Sequence, residues 1–415
     1  MNKDTKALVP ELRFPGFEGE WIIKKVGEIF EVTRGYVLAM HLLSEHQNEI
    51  YPYPVYSSQT RNNGLAGFYK NYLYENSITW TTDGANAGDV NYRKGKFYCT
   101  NVCGVLINKE GYANKCVSEL INSVAKKHVS YVGNPKLMNG VMSQIQIPIP
   151  ELAEQQKIAD CLSNLNTVID GHSKRLELLQ EHKKGLMQQL FPQEGEKIPR
   201  LRFPEFKGDG EWNHKKLIDI ANKNVKWSFT GGPFGSNLKT NDYTDSGIRI
   251  IQLQNIGDGK FNDDYKIFTS LEKANELLSC NIYAGDIILS KMGDPVGRAC
   301  IIPDSLDRGL MASDGIRLVV DEDFYKKYFI FSLINSKRIR DSIEEKSTGS
   351  TRKRIGLDIL KTIKLIIPNT LAEQQKIADC LSSLDNLIEA EEQRIEQLQL
   401  HKKGLMQKLF PIMND

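Results

Sequence analysis

Residues 348–354 read TGSTRKR, three cations in a row behind hydroxyls and a glycine. Arg and Lys beside small donors are the residue types that neutralise phosphate oxygens, and an arginine there can also address guanine through O6 and N7. Ser350, Thr351, Arg352, Lys353 and Arg354 are therefore candidate nucleic-acid contacts, with Lys337, Arg338, Arg340 and Lys346 just upstream. The competing reading is a solvated basic loop. Earlier in the chain, Ser57, Ser58, Gln59, Thr60, Arg61, Asn62 and Asn63 form seven consecutive hydrogen-bonding residues, and Thr81, Thr82, Asp83 and Asn86 form another polar loop. Asn and Gln can pair bidentately with adenine, and Arg with guanine. Lys136 is the one cation of the segment GNPKLMN at 133–139. Ser236, Asn237, Lys239, Gln252, Gln254 and Asn255, with Lys291 and Arg298, are the comparable set in the second half. Plain polar turns compete with base contact at each of these positions.

Patterns that would carry catalysis are missing. There is no Asn/Asp-Pro-Pro-aromatic motif of methyl transfer, no GxxxxGK[ST], no HExxH and no evident triad. The glycine-rich FTGGPFG at 229–235 lacks the spacing of a nucleotide cradle. Asp286 and Lys291 could form part of a metal-nuclease pair, but that spacing is common by chance. Cys99, Cys103 and Cys116 lack a further nearby ligand to complete a zinc set. No catalytic residue and no metal ligand is therefore expected. Seven cysteines are an odd number, and Cys161 and Cys380 hold the same position of a repeat, which points to reduced thiols rather than a disulfide framework.

Composition is that of a soluble globular protein, 40% hydrophobic and 26% charged. Apolar runs are too short to cross a membrane, and the first 21 residues lack an apolar signal core. A cytoplasmic protein with no membrane partner is expected. The net charge of +2 hides a division: residues 21–150 hold 13 Lys and Arg against 9 Asp and Glu, and residues 212–368 hold 24 against 20. Both stretches lean basic, which suits nucleic acid.

What must position these groups is visible as an internal repeat. Residues 152–192 return 219 residues later as 371–411, with 28 of 41 positions identical. Apolar residues recur at steps of four and three: Ile158, Leu162, Leu165, Ile169, Leu176, Leu179, Leu186 and Leu190, then Ile377, Leu381, Leu384, Ile388, Ile395, Leu398, Leu405 and Leu409. His172 and Lys183 interrupt the first stripe, Glu391 and Lys402 the second. A heptad seam of that length predicts two helices that need a partner, each roughly 55–60 Å long at about 1.5 Å per residue. Near-identity makes each the natural partner of the other, as a stiff antiparallel pair. The plainer reading is that each packs on its own neighbouring domain.

A second repeat frames the first. ELRFPGFEGEW at 11–21 reappears as RLRFPEFKGDGEW at 200–212, with Phe14, Phe17 and Trp21 matched by Phe203, Phe206 and Trp212. Pro and Gly predict a short irregular clasp with aromatic anchors. Between these pieces lie two dissimilar stretches of short apolar runs bounded by Gly, Pro and Asn, which predict twisted sheets. Such runs lie at 76–82, 97–107, 143–149, 248–253, 286–291, 315–320 and 363–367, with short helices at 119–127 and 325–335. The domain map is 1–21 clasp, 22–150 first domain, 151–192 long helix, 193–212 linker and second clasp, 213–368 second domain, and 369–415 long helix. The fold class is α+β: two β-rich domains with short helices, joined by two long helices in an antiparallel, pseudo-twofold coiled coil.

The segments AEQQKI at 153–158 and KKGLMQ at 183–188, with copies at 372–377 and 402–407, resemble the specificity subunit of Type I DNA restriction-modification enzymes over essentially the whole chain. Residues 232–235 with 242–243 and 247–251 look like one type of target recognition domain in that family, and 53–63 with 80–88 like another. The resemblance implies a non-catalytic subunit that reads a bipartite sequence in double-stranded DNA, one half-site per domain. It implies docking of two adenine-N6 methyltransferase subunits, with motor-nuclease subunits as further partners. SAM, ATP and Mg would then belong to those partners, and no cofactor to this chain. Half-sites on one face of B-DNA lie about 34–36 Å apart, within the span of such helices. The rival readings are a self-contained DNA methyltransferase or nuclease, disfavoured by the missing motifs, and a coiled-coil scaffold that binds only proteins.

Overall fold

The computed structural model describes residues 8–58, 62–349 and 352–412. The chain divides into two compact units, residues 1–174 with 392–415, and residues 175–391. Each is built on the same plan.

In the first unit the domain chain enters and leaves through one antiparallel strand pair, β1 (Ile22–Lys25) against β8 (Gln146–Ile149), with Ile22 opposite Ile149. Between them β2 (Glu31–Arg34), β3 (Tyr53–Tyr56), β4 (Leu65–Tyr69), β5 (Tyr74–Thr81), β6 (Val90–Cys99) and β7 (Cys103–Ile107) form a six-stranded sheet in the order β2-β7-β5-β6-β3-β4. The apolar run at 97–107 is two strands rather than one, because the chain reverses between Cys99 and Cys103. The run at 143–149 begins inside a helix, Asn139–Gln144, and only its end is strand. The expected helix at 119–127 starts earlier, at Lys115, where the Asn114 side chain accepts from the Val117 amide and satisfies an end that would otherwise be bare. Its buried face, including Val117 and Ile121, packs in the same core as Ile78 and Trp80 of β5.

In the second unit the matching neck is β9 (Asn213–Lys216) against β21 (Lys364–Ile367), with Asn213 opposite Ile367. The domain it closes is different. A sheet of β10 (Phe229–Gly231), β19 (Gly315–Leu318), β15 (Ile287–Ser290) and β17 (Ala299–Ile301) is accompanied by a five-stranded sheet. That sheet runs β11 (Tyr243–Thr244), β13 (Ile267–Thr269), β12 (Ile248–Ile251), β18 (Arg308–Met311) and β14 (Asn281–Tyr283). A short pair, β16 (Met292–Gly293) with β20 (Lys353–Arg354), ties two loops together. Helix Lys327–Ile334 supplies Phe329 and Ile330 to the core.

The long helices run over Leu152–Leu190 and Leu371–Leu409. In the first unit, Ile158 and Leu162 at the start of the first helix are buried with Leu409 and Phe410 at the end of the second, and Leu405 packs on them. In the second unit, Ile377 and Leu381 at the start of the second helix share a core with Leu190 and Phe191 at the end of the first, and Leu186 packs against it. Start meets end in each unit, so the helices run antiparallel. Leu165, Ile169, Leu176, Leu179, Leu384, Ile388, Ile395 and Leu398 are half-buried while most residues between them are exposed. A fully buried Leu or Ile is worth about 1.5–3 kcal/mol, so the helix ends, where domain side chains complete the burial, anchor the pair more firmly than its middle.

The polar seam positions are partnered. Lys183 pairs with Asp385, Glu391 with Arg175 at 3.9 Å, and Lys402 with Glu119 at 3.5 Å. Lys183 and Lys402 are equivalent in the repeat yet choose different partners, because position 166 is Asn where position 385 is Asp.

Arg13 and Arg202, equivalent in the two clasps, each find the glutamate of an AEQQ segment. Arg13 donates Nε and Nη2 to Glu154 at 2.8 and 2.7 Å. Arg202 does the same to Glu373 at 2.7 and 2.8 Å, and Trp212 Nε1 donates to Glu373 at 3.1 Å. The next residue ties the helix start to the neck: Gln155 Nε2 donates to the Pro150 carbonyl and Gln374 Nε2 to that of Pro368. The backbone joins in, with Leu12 N donating to Lys408 O and Leu201 N to Gln189 O, both at the far end of the other helix. Trp21 and Trp212 are buried, Phe14 and Phe203 pack partly buried beside them, and Phe17 and Phe206 stay half-buried.

Glu119 gives a pH signature to the first unit. Burial raises its pKa, but Lys115 at 2.8 Å and Lys402 outweigh that and hold the carboxyl below its ordinary value of 4.5. A depressed folded pKa contributes stability above the unfolded value, and that stability is lost as pH falls through the folded one. Glu119→Gln is therefore expected to lower the urea midpoint of the first unit at neutral pH and to converge on the parent protein in acid. A constant gap at all pH values would contradict this.

Candidate nucleic-acid interface

In the first unit the two polar loops come together. Asn86 Nδ2 donates to the Ser58 carbonyl at 3.2 Å, and Ser57 receives a hydrogen bond from Thr100 Oγ1 at 3.0 Å. Ser57, Asn63, Thr81 and Asn86 line one recess with Arg93. Arg93 was not among the sequence candidates. Its Nε donates to Thr79 Oγ1 at 3.0 Å and its Nη2 to the Asn63 carbonyl at 2.7 Å, while the guanidinium lies 3.7 Å from the Tyr56 ring centre. A cation in an aromatic strand, Tyr92-Arg93-Lys94, was the available signal. Asn62 and Asn63 are exposed with φ of 49° and 51°, a conformation asparagine tolerates better than most residues. Gln59, Thr60 and Arg61 lie outside the described residues.

Loop 130–136 lies beside this recess. Gly84 N donates to Pro135 O, Leu137 N to Thr82 O, and Lys136 pairs with Asp83 at 3.8 Å. Lys136 is exposed and Asp83 half-buried. Thr82 is a correction: it is 5% exposed and spends its hydroxyl on Asp83 Oδ2, so it shapes the loop and cannot face a ligand. Thr81 is nearly as buried, at 9% exposure, and is one of the residues that line the recess.

In the second unit the loop at 231–235 sits between two recesses. One is lined by Tyr243, Gln252 and Gln254, the other by Lys291 and Arg354, and Ser313 and Asp314 are common to both. Gln252 Nε2 donates to Tyr243 Oη at 3.2 Å. Ser236, Asn237 and Lys239 follow on the exposed side of the loop. Asn255 is a second correction. It is fully buried, its amide donates to the carbonyls of Asn262 and Tyr265, both at 2.9 Å, and its Oδ1 accepts from Gln252 N. A side chain with its hydrogen bonds spent inside the fold holds the turn and reads nothing.

In the basic segment Thr348 and Arg354 exchange backbone hydrogen bonds of 2.9 and 2.8 Å, and Gly349 has φ of 105°. A side chain at Gly349 would meet the Arg352 carbonyl at 2.6 Å. Strand β20 then pairs with β16, which brings Arg354 beside Lys291 and the loop leading to Arg298. Arg352 and Arg354 are exposed, Arg298 is half-buried, and its Nε is buried with no hydrogen-bond partner among the described residues. Lys353 is drawn aside by Glu344. Of the upstream cations, Lys337 pairs with Asp341 at 2.7 Å, Arg338 donates to the Pro192 carbonyl and Arg340 pairs with Asp258 at 3.1 Å, while Lys346 is exposed. Ser350 and Thr351 lie outside the described residues.

Asp286, the carboxylate of the conceivable metal pair, is buried against Arg317 Nε at 2.6 Å and accepts from Tyr283 N. The seven cysteines are free thiols. Among the described residues no group of three His, Cys, Asp or Glu side chains could hold a metal ion, and no helix is long and apolar enough to cross a membrane.

Residues 18–181 and 209–400 match the family described as Type I restriction modification DNA specificity domain, one copy in each half. The chain is 25% identical over 413 residues to the Type I restriction enzyme MjaVIII specificity subunit of Methanocaldococcus jannaschii, covering 94% of this chain and 92% of that one. It is 39% identical over 141 residues to the N-terminus of a type I specificity subunit of Mycoplasma pneumoniae, 33% of this chain and 74% of the relative. In structure it is similar to the type I restriction-modification S subunit from M. genitalium, with a TM-score of 0.65 at 15% identity, over 98% of this chain and all of that one. A chain from a type I restriction-modification assembly gives 0.54 at 13% identity, over 94% of this chain and 97% of that one. These two likenesses concern the fold.

Proposed function

Since the chain belongs to the Type I restriction-modification DNA specificity family, we propose that it reads a bipartite sequence in double-stranded DNA, one half-site through each β-rich domain. The observation that carries this reading is the contrast between frame and insert. Clasp, neck and helix ends follow the same plan in both units, Arg13 paired with Glu154 and Arg202 with Glu373, while the domains they hold have unrelated sheets and unrelated polar recesses. A scaffold used twice for two unlike surfaces fits two different half-sites.

Within the first domain, Ser57, Asn63, Asn86 and Arg93 offer base edges the polar atoms not already spent inside the recess, and Lys136 supplies a phosphate contact. Within the second, Gln252 and Gln254 are the candidate base readers, with Ser236, Asn237 and Lys239 beside them. Lys291, Arg298, Arg352 and Arg354 form the electrostatic grip. The chain itself is non-catalytic on this reading. Two methyltransferase subunits dock on the long helices and bring SAM, and motor-nuclease subunits bring ATP and Mg.

The test is exchange of residues 213–368 for the corresponding domain of another family member, followed by methylation-sensitive sequencing of DNA from cells that also carry the methyltransferase. The expected outcome is a new target in which one half-site changes and the other is retained. Change in both halves would refute modular reading. Methyl transfer by the purified chain alone would favour the self-contained enzyme, and an absence of salt-dependent DNA binding would favour a protein-only scaffold.

A further inference from the structure

On the reading that this chain grips duplex DNA, we propose that Phe234 is an aromatic wedge that stacks into a base step of the half-site met by the second domain. The ring is 83% exposed. Single exposed apolar residues are common on protein surfaces and carry no meaning by themselves; what sets this one apart is how it is presented. Gly232 is pressed so closely on the next loop that a side chain there would lie 1.8 Å from the Ala312 carbonyl oxygen, and its amide donates to Gly315 O at 2.8 Å. Pro233 is buried and fixes the backbone leading into the ring. Behind it the Phe234 carbonyl accepts from Asn237 N at 2.8 Å, which closes the turn. The ring thus stands on a backbone held from both sides.

Its surroundings select the ligand. Phe234 forms the ridge between the recess of Gln252 and Gln254 and the recess of Lys291 and Arg354. An aromatic anchor for a protein partner would be expected within an apolar patch that excludes water. Here Gln252 and Gln254 on one side suit base edges and Lys291 and Arg354 on the other suit phosphates, Ser313 and Asp314 line both recesses, and the residues following the ring are Gly235, Ser236 and Asn237. An aromatic face between base readers and phosphate clamps has the chemistry of a wedge, which offsets the cost of unstacking a step by stacking against the exposed base.

The experiment uses the full chain and duplexes that carry its target, mapped from methylated sites, with 2-aminopurine placed in turn at each step of the second half-site. Binding of the parent protein is expected to raise the fluorescence at one step. Phe234→Ala should abolish that rise and weaken binding on the order of tenfold, the worth of one stacked base, while leaving the salt slope and the thermal midpoint unchanged. Phe234→Trp should retain both signals. Persistence of the fluorescence rise in the alanine variant, or an unchanged affinity, overturns the wedge. Intact DNA affinity with weakened co-elution of methyltransferase subunits would overturn it in favour of a protein anchor. If the parent chain binds no duplex, the DNA-reading function falls as well, whereas failure of the wedge alone leaves it standing.

Discussion

Glu373→Ala is expected to destabilise the second unit by about 3–5 kcal/mol, the typical cost of stranding one member of a buried ion pair. The glutamate is 1% exposed and Arg202 6%, and the two are joined by a bidentate pair of hydrogen bonds, the strongest geometry available to these groups. That hydrogen bonding raises the Arg202 pKa against the pull of burial, and a guanidinium, which keeps its proton even without a partner, is left as an uncompensated buried charge when Glu373 is removed. Alanine also leaves Trp212 Nε1 without its acceptor and opens space in the core that joins the neck to both helix ends. Chemical denaturation followed by hydrogen exchange at the start of the second long helix measures the effect. Glu154→Ala in the first unit should cost less, because Arg13 is 15% exposed and Trp21 Nε1 has no hydrogen-bond partner among the described residues to lose. A Glu373→Leu, Arg202→Met double variant should recover much of the loss, since an apolar pair of similar volume often matches a buried ion pair. Equal losses for Glu154→Ala and Glu373→Ala would show that the clasp holds by packing and that the ion pair is incidental.

Arg352→Ala with Arg354→Ala is expected to flatten the salt dependence of DNA binding by close to two phosphate equivalents, about 0.9 in log–log slope for each. Both side chains are exposed. Lys353→Ala should add little, because Glu344 already holds that ammonium. The second domain then binds more weakly on every sequence, and more so if either arginine also pairs with a guanine, a contact worth about 1–3 kcal/mol. Filter binding or fluorescence anisotropy between 50 and 300 mM salt reads both quantities. An unchanged slope would remove the two arginines from the interface, and an equal contribution from Lys353 would contradict the ion pair.

How much of this was legible beforehand depends on whether the signal is local. A heptad stripe is a property of a continuous stretch, so Leu165, Ile169 and the other seam positions could be assigned from periodicity, and near-identity of two stretches pointed to a shared partner. The clasp could be located from its repeat, and its aromatic anchors named. Its main polar contact could not, because Arg13 and Glu154 are 141 residues apart and nothing in either segment names the other.

The polar loops show the same division. Composition marks where hydrogen-bonding side chains cluster, but burial decides which remain free. Gln252 and Asn255 lie three residues apart in one polar stretch, yet Gln252 lines a recess while Asn255 is fully buried with its amide spent on backbone carbonyls. Thr82 is lost to the interior in the same way, and Arg93 is gained because β6, which carries it, pairs with β3, the strand before the Asn63 turn. Lys183 and Lys402 put it most plainly: identical in the repeat, they pair with Asp385 in one case and Glu119 in the other. Periodicity and repetition are local and survive in one dimension, so the amino-acid order alone determined the two-helix frame and its duplicated plan. The choice of partner, and which polar groups keep a face toward solvent, depends on chain segments far apart in sequence, and only their packing in three dimensions decided it.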